Sequence, residues 1–103
     1  MRYQIIFAPE AIEDLRRLKA SLRTIVRDAI DDHLRHEPRK TSKSRIKRLR
    51  GISRPQYRLR IENVRVFYDV TAEAVEILAI LLKDDAAYWL EETGEPYEDS
   101  GSE

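Results

Sequence analysis

The chain has 103 residues, which is enough for one domain with one hydrophobic core. It contains no cysteine, so disulfides and thiolate-bound metals are excluded, and we expect a cytoplasmic protein without a cofactor. The longest apolar run, residues 77–82, is far shorter than the about 20 residues that span a bilayer. No signal peptide is expected, because the N-terminal residues alternate like a strand.

The net charge of zero conceals a segmented distribution of charge. Residues 39–65 carry eleven Lys and Arg against one acid, Glu62, whereas residues 84–103 carry eight acids and no base. A basic block of this kind indicates a polyanionic partner. The acidic end either shields that block, keeps the chain soluble or is disordered.

The first third of the chain predicts a strand and a helical hairpin. Residues 3–7 are rich in β-branched and aromatic side chains, which is typical of a strand, and Pro9 suits the first turn of a helix. Apolar residues then recur at steps of three and four, which predicts two helices up to Pro38. The apolar positions are Ile12, Leu15, Leu18 and Leu22 in the first helix, and Ile25, Val26, Ala29, Ile30 and Leu34 in the second. The basic residues 39–56, with Gly51 and Pro55, predict a loop.

The second half predicts three strands, at residues 57–61, 64–70 and 75–82. Glu62 and Asn63 form a two-residue turn, in which Asn63 tolerates a positive φ. A short helix from Asp84 through Leu90 completes the order βααβββα. We therefore expect an α+β domain over residues 1–92, in which an antiparallel sheet carries the two-helix hairpin on one face. An acidic, disordered tail is expected at residues 93–103.

The predicted turn also fixes the register of its hairpin, in which Arg60 lies opposite Arg65. Alternation places Arg58, Arg60, Arg65 and Phe67 on one face of the sheet. Like charges opposite each other are destabilising, so this arrangement favours a phosphate site, although a solvated sheet face also fits the hairpin alone. Neighbouring basic residues strengthen the prediction of nucleic-acid binding, namely Lys43, Arg45, Lys47, Arg48, Arg50 and Arg54.

The arginine face also has a predicted apolar margin. A four-residue turn after residue 70 would pair Phe67 with Leu78 and Arg65 with Ile80. A groove for nucleic acid alone would not need that margin, whereas an amphipathic protein segment would. We therefore expect Phe67, Leu78 and Ile80 to contact a protein partner. The only histidines, His33 and His36, lack a third ligand nearby, so no metal site is expected.

Three segments resemble the core motifs of RelE/ParE toxins from type II toxin–antitoxin systems. They are Arg48-Leu49-Arg50-Gly51, Tyr57-Arg58-Leu59-Arg60 and Val64-Arg65-Val66-Phe67-Tyr68-Asp69-Val70. The element order also matches, so the resemblance covers about residues 2–90. It implies a toxin that a RelB-like antitoxin holds in a hetero-oligomer, with an acidic, amphipathic antitoxin segment over the arginine face.

The resemblance further implies an mRNA endonuclease that acts in the ribosome without a metal. The ribose 2′-OH attacks the adjacent phosphate, and basic residues on the sheet stabilise the developing charge. By motif, the catalytic residues would be Arg58, Arg60, Arg65 and Tyr88. Lys83 stands where such enzymes have an arginine; it joins the nucleic-acid-binding residues but lacks the bidentate guanidinium fork.

Two alternatives to the nuclease remain at this point. Arginine is a poor proton acceptor, so the motif residues leave the general base of a nuclease unassigned. A ParE-like inhibitor of DNA gyrase would have the same fold without nuclease activity. A catalytically inactive module that only binds its antitoxin would also keep the basic face.

Overall fold

The computed structural model describes residues 1–97 and shows a mixed α+β fold. In chain order the elements are β1 (Gln4–Phe7), α1 (Pro9–Arg17), α2 (Ala20–Leu34), β2 (Ile46–Arg48), β3 (Ile52–Arg54), β4 (Tyr57–Ile61), β5 (Val64–Val70), β6 (Ala74–Leu82), α3 (Lys83–Thr93) and β7 (Glu95–Pro96). None of the helices in this part of the chain is long and apolar enough to span a membrane.

Five strands form the main sheet, in the order β1-β6-β5-β4-β2. β1 runs parallel to β6, and the other neighbouring strands are antiparallel. β3 and β7 pair separately as a short antiparallel ribbon. The α+β class is confirmed, and so is the antiparallel order of the three long C-terminal strands.

The prediction of a loop over residues 39–56 is wrong in part, because β2 and β3 lie within it. Each has only three residues, which is too short for a periodic pattern to stand out. The side chain of Ile46 is buried in the core, and β2 pairs with β4 along its whole length. Tertiary pairing therefore makes an edge strand out of a sequence that is locally typical of a loop.

The main core lies between one face of the sheet and the helices α1 and α2. Val26, Ile30 and Leu34 of α2 pack there against alternating side chains of β4, β5 and β6. Tyr68 is fully buried in this core and donates a hydrogen bond from its hydroxyl to the carbonyl oxygen of Pro38, at 2.7 Å. Burial raises the pKa of Tyr68 far above its ordinary value, so the hydroxyl remains a donor.

Helix α3 covers part of the opposite face of the sheet. Phe67, Ala79 and Ala86 are buried in a second cluster, against which Trp89 and Leu90 pack. The rings of Phe67 and Trp89 stack with centroids 5.0 Å apart. The strand β6 is therefore apolar at nearly every position because helices cover both of its faces.

A β-bulge changes the register between β5 and β6. Val70 pairs with Val75, but Leu78 is left without a partner, and the register shifts between Phe67 and Tyr68. The carboxylate of Asp14 in α1 accepts a hydrogen bond from the backbone N–H of Ile80, at 3.0 Å, beside this bulge. The inserted residue reverses which face the rest of β6 presents.

The two predicted pairs beyond the bulge are consequently wrong. Phe67 lies opposite Ala79, and Arg65 lies opposite Leu81, rather than Leu78 and Ile80. The sequence of an apolar run does not reveal a β-bulge, because either face of such a strand can be buried.

The chain after α3 returns to the basic segment. A Cβ on Gly94 would lie 2.6 Å from the carbonyl oxygen of Leu90, so this close turn requires glycine. Glu95 and Pro96 then pair with β3, and the Ser53 hydroxyl donates to the carbonyl oxygen of Glu95 at 3.0 Å. Residues 93–97 of the expected tail therefore belong to the folded domain. The remainder of that prediction, at residues 98–103, lies outside the described residues.

Candidate nucleic-acid interface

The β4–β5 hairpin has the predicted register, with Arg60 opposite Arg65 and Arg58 opposite Phe67. The two-residue turn is also confirmed, but its positive φ falls on Glu62, at 52°, rather than on Asn63. Arg58, Arg60 and Arg65 therefore share the face of the sheet that is turned away from the main core.

Strand β2 brings two further cations to this face. Lys47 lies opposite Arg58, and the N–H of Arg60 donates to the carbonyl oxygen of Arg45 at 2.8 Å. Side chains directly opposite each other lie on the same face of a sheet, about 5 Å apart at Cβ. We call the resulting set the cationic face; its members are Arg45, Lys47, Arg58, Arg60 and Arg65.

In the sequence, Arg45 and Lys47 stand in a basic segment that predicts a loop. The signal that could have placed them is the buried Ile46 between them, since this alternation is that of a half-buried strand.

Arg58 stands in the middle of the cationic face and is half-buried. One of its terminal nitrogens donates to the carbonyl oxygen of Ser44 at 3.1 Å, whereas its Nε is buried and has no hydrogen-bond partner within residues 1–97. Burial lowers the pKa of Arg58, and the charges of Arg65 and Arg60 lower it further. An anion bound on this face would offset the repulsion among these charges.

Arg65 is only 8% exposed and braces the hairpin turn. Its Nη1 donates to the carbonyl oxygens of Glu62, at 2.9 Å, and Val64, at 3.0 Å. Burial lowers the pKa of Arg65, with a further contribution from the charge of Arg60. Arg60 itself is exposed, so it is the arginine of this opposed pair that a ligand reaches most easily.

No acidic side chain within residues 1–97 forms an ion pair with the cationic face. All ion pairs formed there involve other basic residues, such as Arg16, Arg35 and Arg54. The charge of these five side chains is therefore available to an external anion.

The same side of the sheet ends in a polar network at the far end of β5. The Asp69 carboxylate accepts a hydrogen bond from the N–H of Gln56, at 2.7 Å, and pairs with Arg54 Nε at 3.0 Å. Burial raises the pKa of Asp69, against the opposing effects of Gln56 and Arg54. Arg54 thus has an internal partner and is not part of the cationic face.

Arg48 is likewise engaged within the protein. Its Nη1 donates to the carbonyl oxygen of Gln56 at 2.7 Å, its Nη2 donates to the Tyr97 hydroxyl at 2.9 Å, and the guanidinium lies 5.3 Å from the ring centroid of Tyr57. These contacts fasten the end of the described chain to β2. Nucleic-acid contacts by Arg48 and Arg54 would have to compete with these internal bonds.

The other residues expected at the site are distributed around it. Lys43 and Arg50 are exposed in the loops on either side of β2, and Lys83 is exposed at the start of α3. Tyr88 of α3 is 69% exposed, while its neighbour Trp89 packs inward as expected.

The expected protein-contact residues are mostly inaccessible. Phe67 is covered by Trp89, and Ile80 lies in the main core; each is only 2% exposed. The bulge leaves Leu78 half-buried, so it alone of the three offers surface. The prediction that Ile80 borders the arginine face is therefore wrong, whereas contact of Phe67 with a protein partner stays a prediction.

A family model described as the ParE toxin of type II toxin-antitoxin systems, parDE, matches residues 5–86. The match spans most of the chain, and the protein therefore belongs to this family of toxins, within the RelE/ParE superfamily. It is therefore a toxin of the kind found in type II toxin–antitoxin systems. A search among curated proteins finds no match.

Solved structures of similar fold are toxin–antitoxin complexes. A chain of the RelBE2 complex from Mycobacterium tuberculosis is 22% identical, with a TM-score of 0.63 over 80% of this chain and 99% of that one. A chain of the RelB–RelE complex from Methanococcus jannaschii is 19% identical, with a TM-score of 0.64 over 82% of this chain and 96% of that one. A chain of the RelE–RelB complex from Pyrococcus horikoshii OT3 is 23% identical, with a TM-score of 0.66 over 81% of this chain and 97% of that one. At these identities the likeness shows the fold alone.

Proposed function

We propose that this toxin binds mRNA on its cationic face and cleaves it in the ribosome, by attack of the ribose 2′-OH on the adjacent phosphate. The observation that carries the proposal is the set of five neighbouring cations without an acidic partner in the described part of the chain. The repulsion between Arg60 and Arg65 is a cost that a bound phosphate would remove.

In this proposal the arginines act through charge and not through proton transfer. The phosphorane gains negative charge as the 2′-oxygen attacks, and guanidinium groups that are already in position stabilise this charge. Arg60 would make the most accessible contact with the phosphate. The half-buried Arg58 and the buried Arg65 would contribute positive charge beside it. Tyr88 on α3 and the exposed Lys43, Arg50 and Lys83 would contact the rest of the RNA.

The proposal is tested by expressing the chain and its Arg60→Ala variant in cells and mapping mRNA 5′ ends by primer extension. The unsubstituted chain should stop growth and create new ends within codons, and Arg60→Ala should lower cleavage about 10²-fold. Arg27→Ala, on the exposed outer side of α2, is the matched control. Intact mRNA during growth arrest by the unsubstituted chain would refute the nuclease.

Inhibition of DNA gyrase is the second candidate, because the matching family model is described as a ParE toxin. Lys83, in place of an arginine, also weakens the case for phosphate chemistry. DNA damage together with intact mRNA in the same experiment would favour this candidate. Growth without either effect would favour an inactive module that only binds its antitoxin.

We further propose that a RelB-like antitoxin covers the cationic face with an acidic segment. Charge complementarity supports this, and the half-buried Leu78 offers one apolar contact. A pull-down with the protein encoded beside this gene tests the idea. Equal capture by an Arg58, Arg60 and Arg65 triple alanine variant would show that the antitoxin docks elsewhere.

A further inference from the structure

Glu62 has an unusual place in the chain and in the backbone. It is the one acid among residues 39–65, and it lies in the β4–β5 turn at the edge of the cationic face. Its φ of 52° is the only positive φ of a non-glycine residue within residues 1–97. Glutamate does not favour this left-handed conformation, whereas the adjacent Asn63 would tolerate it. Residues held in such conformations are found especially often at functional sites.

A cavity lies beside this turn. Ser44, Arg45, Arg60 and Glu62 line a space of about 200 Å³ at one end of the cationic face. No ion pair joins the Glu62 carboxylate to any base in the described residues, although two guanidinium groups line the same cavity. The backbone oxygen of Glu62 accepts the hydrogen bond from the buried Arg65, which fixes the turn. The carboxylate therefore lies near the cations of this face but forms no ion pair with them within the described residues.

We propose that Glu62 is the general base of the cleavage reaction, an inference that rests on the nuclease activity proposed above. Arg60 and Arg45 would hold the phosphate oxygens, and Glu62 would face the ribose on the nucleophile's side. A carboxylate accepts protons, whereas a guanidinium group is a poor proton acceptor.

Besides the RNA and Glu62, the reaction requires only water. The 2′-hydroxyl proton passes to a carboxylate oxygen of Glu62 as the bond between the 2′-oxygen and phosphorus forms. The bond between phosphorus and the 5′-oxygen breaks, and that oxygen takes a proton from water. The products are a 2′,3′-cyclic phosphate and a 5′-hydroxyl, and Glu62 then returns its proton to water.

The test measures single-turnover cleavage of mRNA on ribosomes by the chain and by Glu62→Gln, Glu62→Asn and Glu62→Asp, alongside urea unfolding. Glu62→Gln should lower the cleavage rate about 10²-fold without weakening mRNA binding. Glu62→Asp, which keeps a carboxylate, should cleave faster than Glu62→Gln. Glu62→Asn should unfold at a higher urea concentration and yet cleave as slowly as Glu62→Gln, a split that a purely structural role would not produce.

Glu73→Gln serves as the matched control, because Glu73 is an exposed acid in the other hairpin turn, and its rate should not change. Full activity of Glu62→Gln or Glu62→Asn would overturn the role of Glu62 while leaving the nuclease intact. Absence of cleavage by the unsubstituted chain would instead refute the proposed function, and the inference with it.

Discussion

At the scale of single residues, the Arg60–Arg65 pair was predictable from sequence. A two-residue turn leaves one register for the strands beside it, and alternation then assigns each side chain to a face. The accessibility of each arginine was not predictable, because it depends on where α3 and the turn carbonyls lie. The sequence treats Arg60 and Arg65 alike, whereas the fold exposes one and buries the other.

Replacing Arg60 by threonine should stabilise the free protein. The substitution removes the repulsion with Arg65 and places a β-branched residue in a strand, a gain on the order of a few tenths of a kcal/mol. Urea unfolding followed by circular dichroism measures it, with Arg27→Thr as the control for loss of a cation. A lower unfolding free energy for Arg60→Thr would show that the pair is not strained.

Asp69 should give the protein a specific dependence on pH. Its pKa is raised on folding, so the folded state binds this proton more readily than the unfolded state. This group's contribution to stability is therefore greatest below the unfolded pKa and is lost as pH rises through the folded pKa. Relative to Asp69→Asn, the unsubstituted chain should gain unfolding free energy as pH falls from neutral into the acid range. A parallel pH dependence of the two proteins would contradict this.

At the scale of elements, the long ones were predictable and the short ones were not. α1, α2, β4 and β5 have patterns long enough to define their type. The predicted apolar stripes of the helices are wrong in detail, because Ile12 and Ile25 are exposed and Leu22 belongs to α2 rather than to α1. β2 has three residues and depends on β4 for its hydrogen bonds, and the bulge at Leu78 sits in a run that is apolar throughout. Both omissions concern the site, since β2 contains Lys47 and directly follows Arg45, and the bulge removes the expected apolar margin.

The packing of α3 makes a prediction that the single tryptophan can report. Phe67→Ala should lower the unfolding free energy by about 3 kcal/mol, because Phe67 is buried under α3. Trp89 would lose its stacking partner, and its fluorescence should shift to longer wavelength in the folded variant. Ile12→Ala, at an exposed position of α1, should leave the emission wavelength unchanged. An unshifted spectrum in Phe67→Ala would show that α3 does not depend on this contact.

At the scale of the molecule, charge is separated along the chain and concentrated by the fold. The basic stretch contributes to three neighbouring strands of one sheet, β2, β4 and β5, so that five cations meet on one face. Net charge alone, which is zero, would have suggested no polyanionic partner.

A divalent anion should therefore stabilise the free protein. Sulfate should raise the melting temperature more than chloride at equal ionic strength, because it binds the cationic face only in the folded state. An Arg58→Gln, Arg60→Gln double variant should gain less from sulfate than the unsubstituted chain, because it should keep only the general stabilisation that sulfate gives to folded proteins. Equal effects of the two salts on the unsubstituted chain would count against an anion site.

The most direct test of the central claim is the salt dependence of binding to a single-stranded RNA oligonucleotide. The logarithm of the binding constant should fall linearly with the logarithm of salt concentration, with a slope of about −0.7 for each phosphate contacted. The Arg58→Gln, Arg60→Gln double variant should have a slope smaller in magnitude by about 1.4, because two such contacts are lost. An unchanged slope in a folded double variant would mean that RNA phosphates are bound elsewhere.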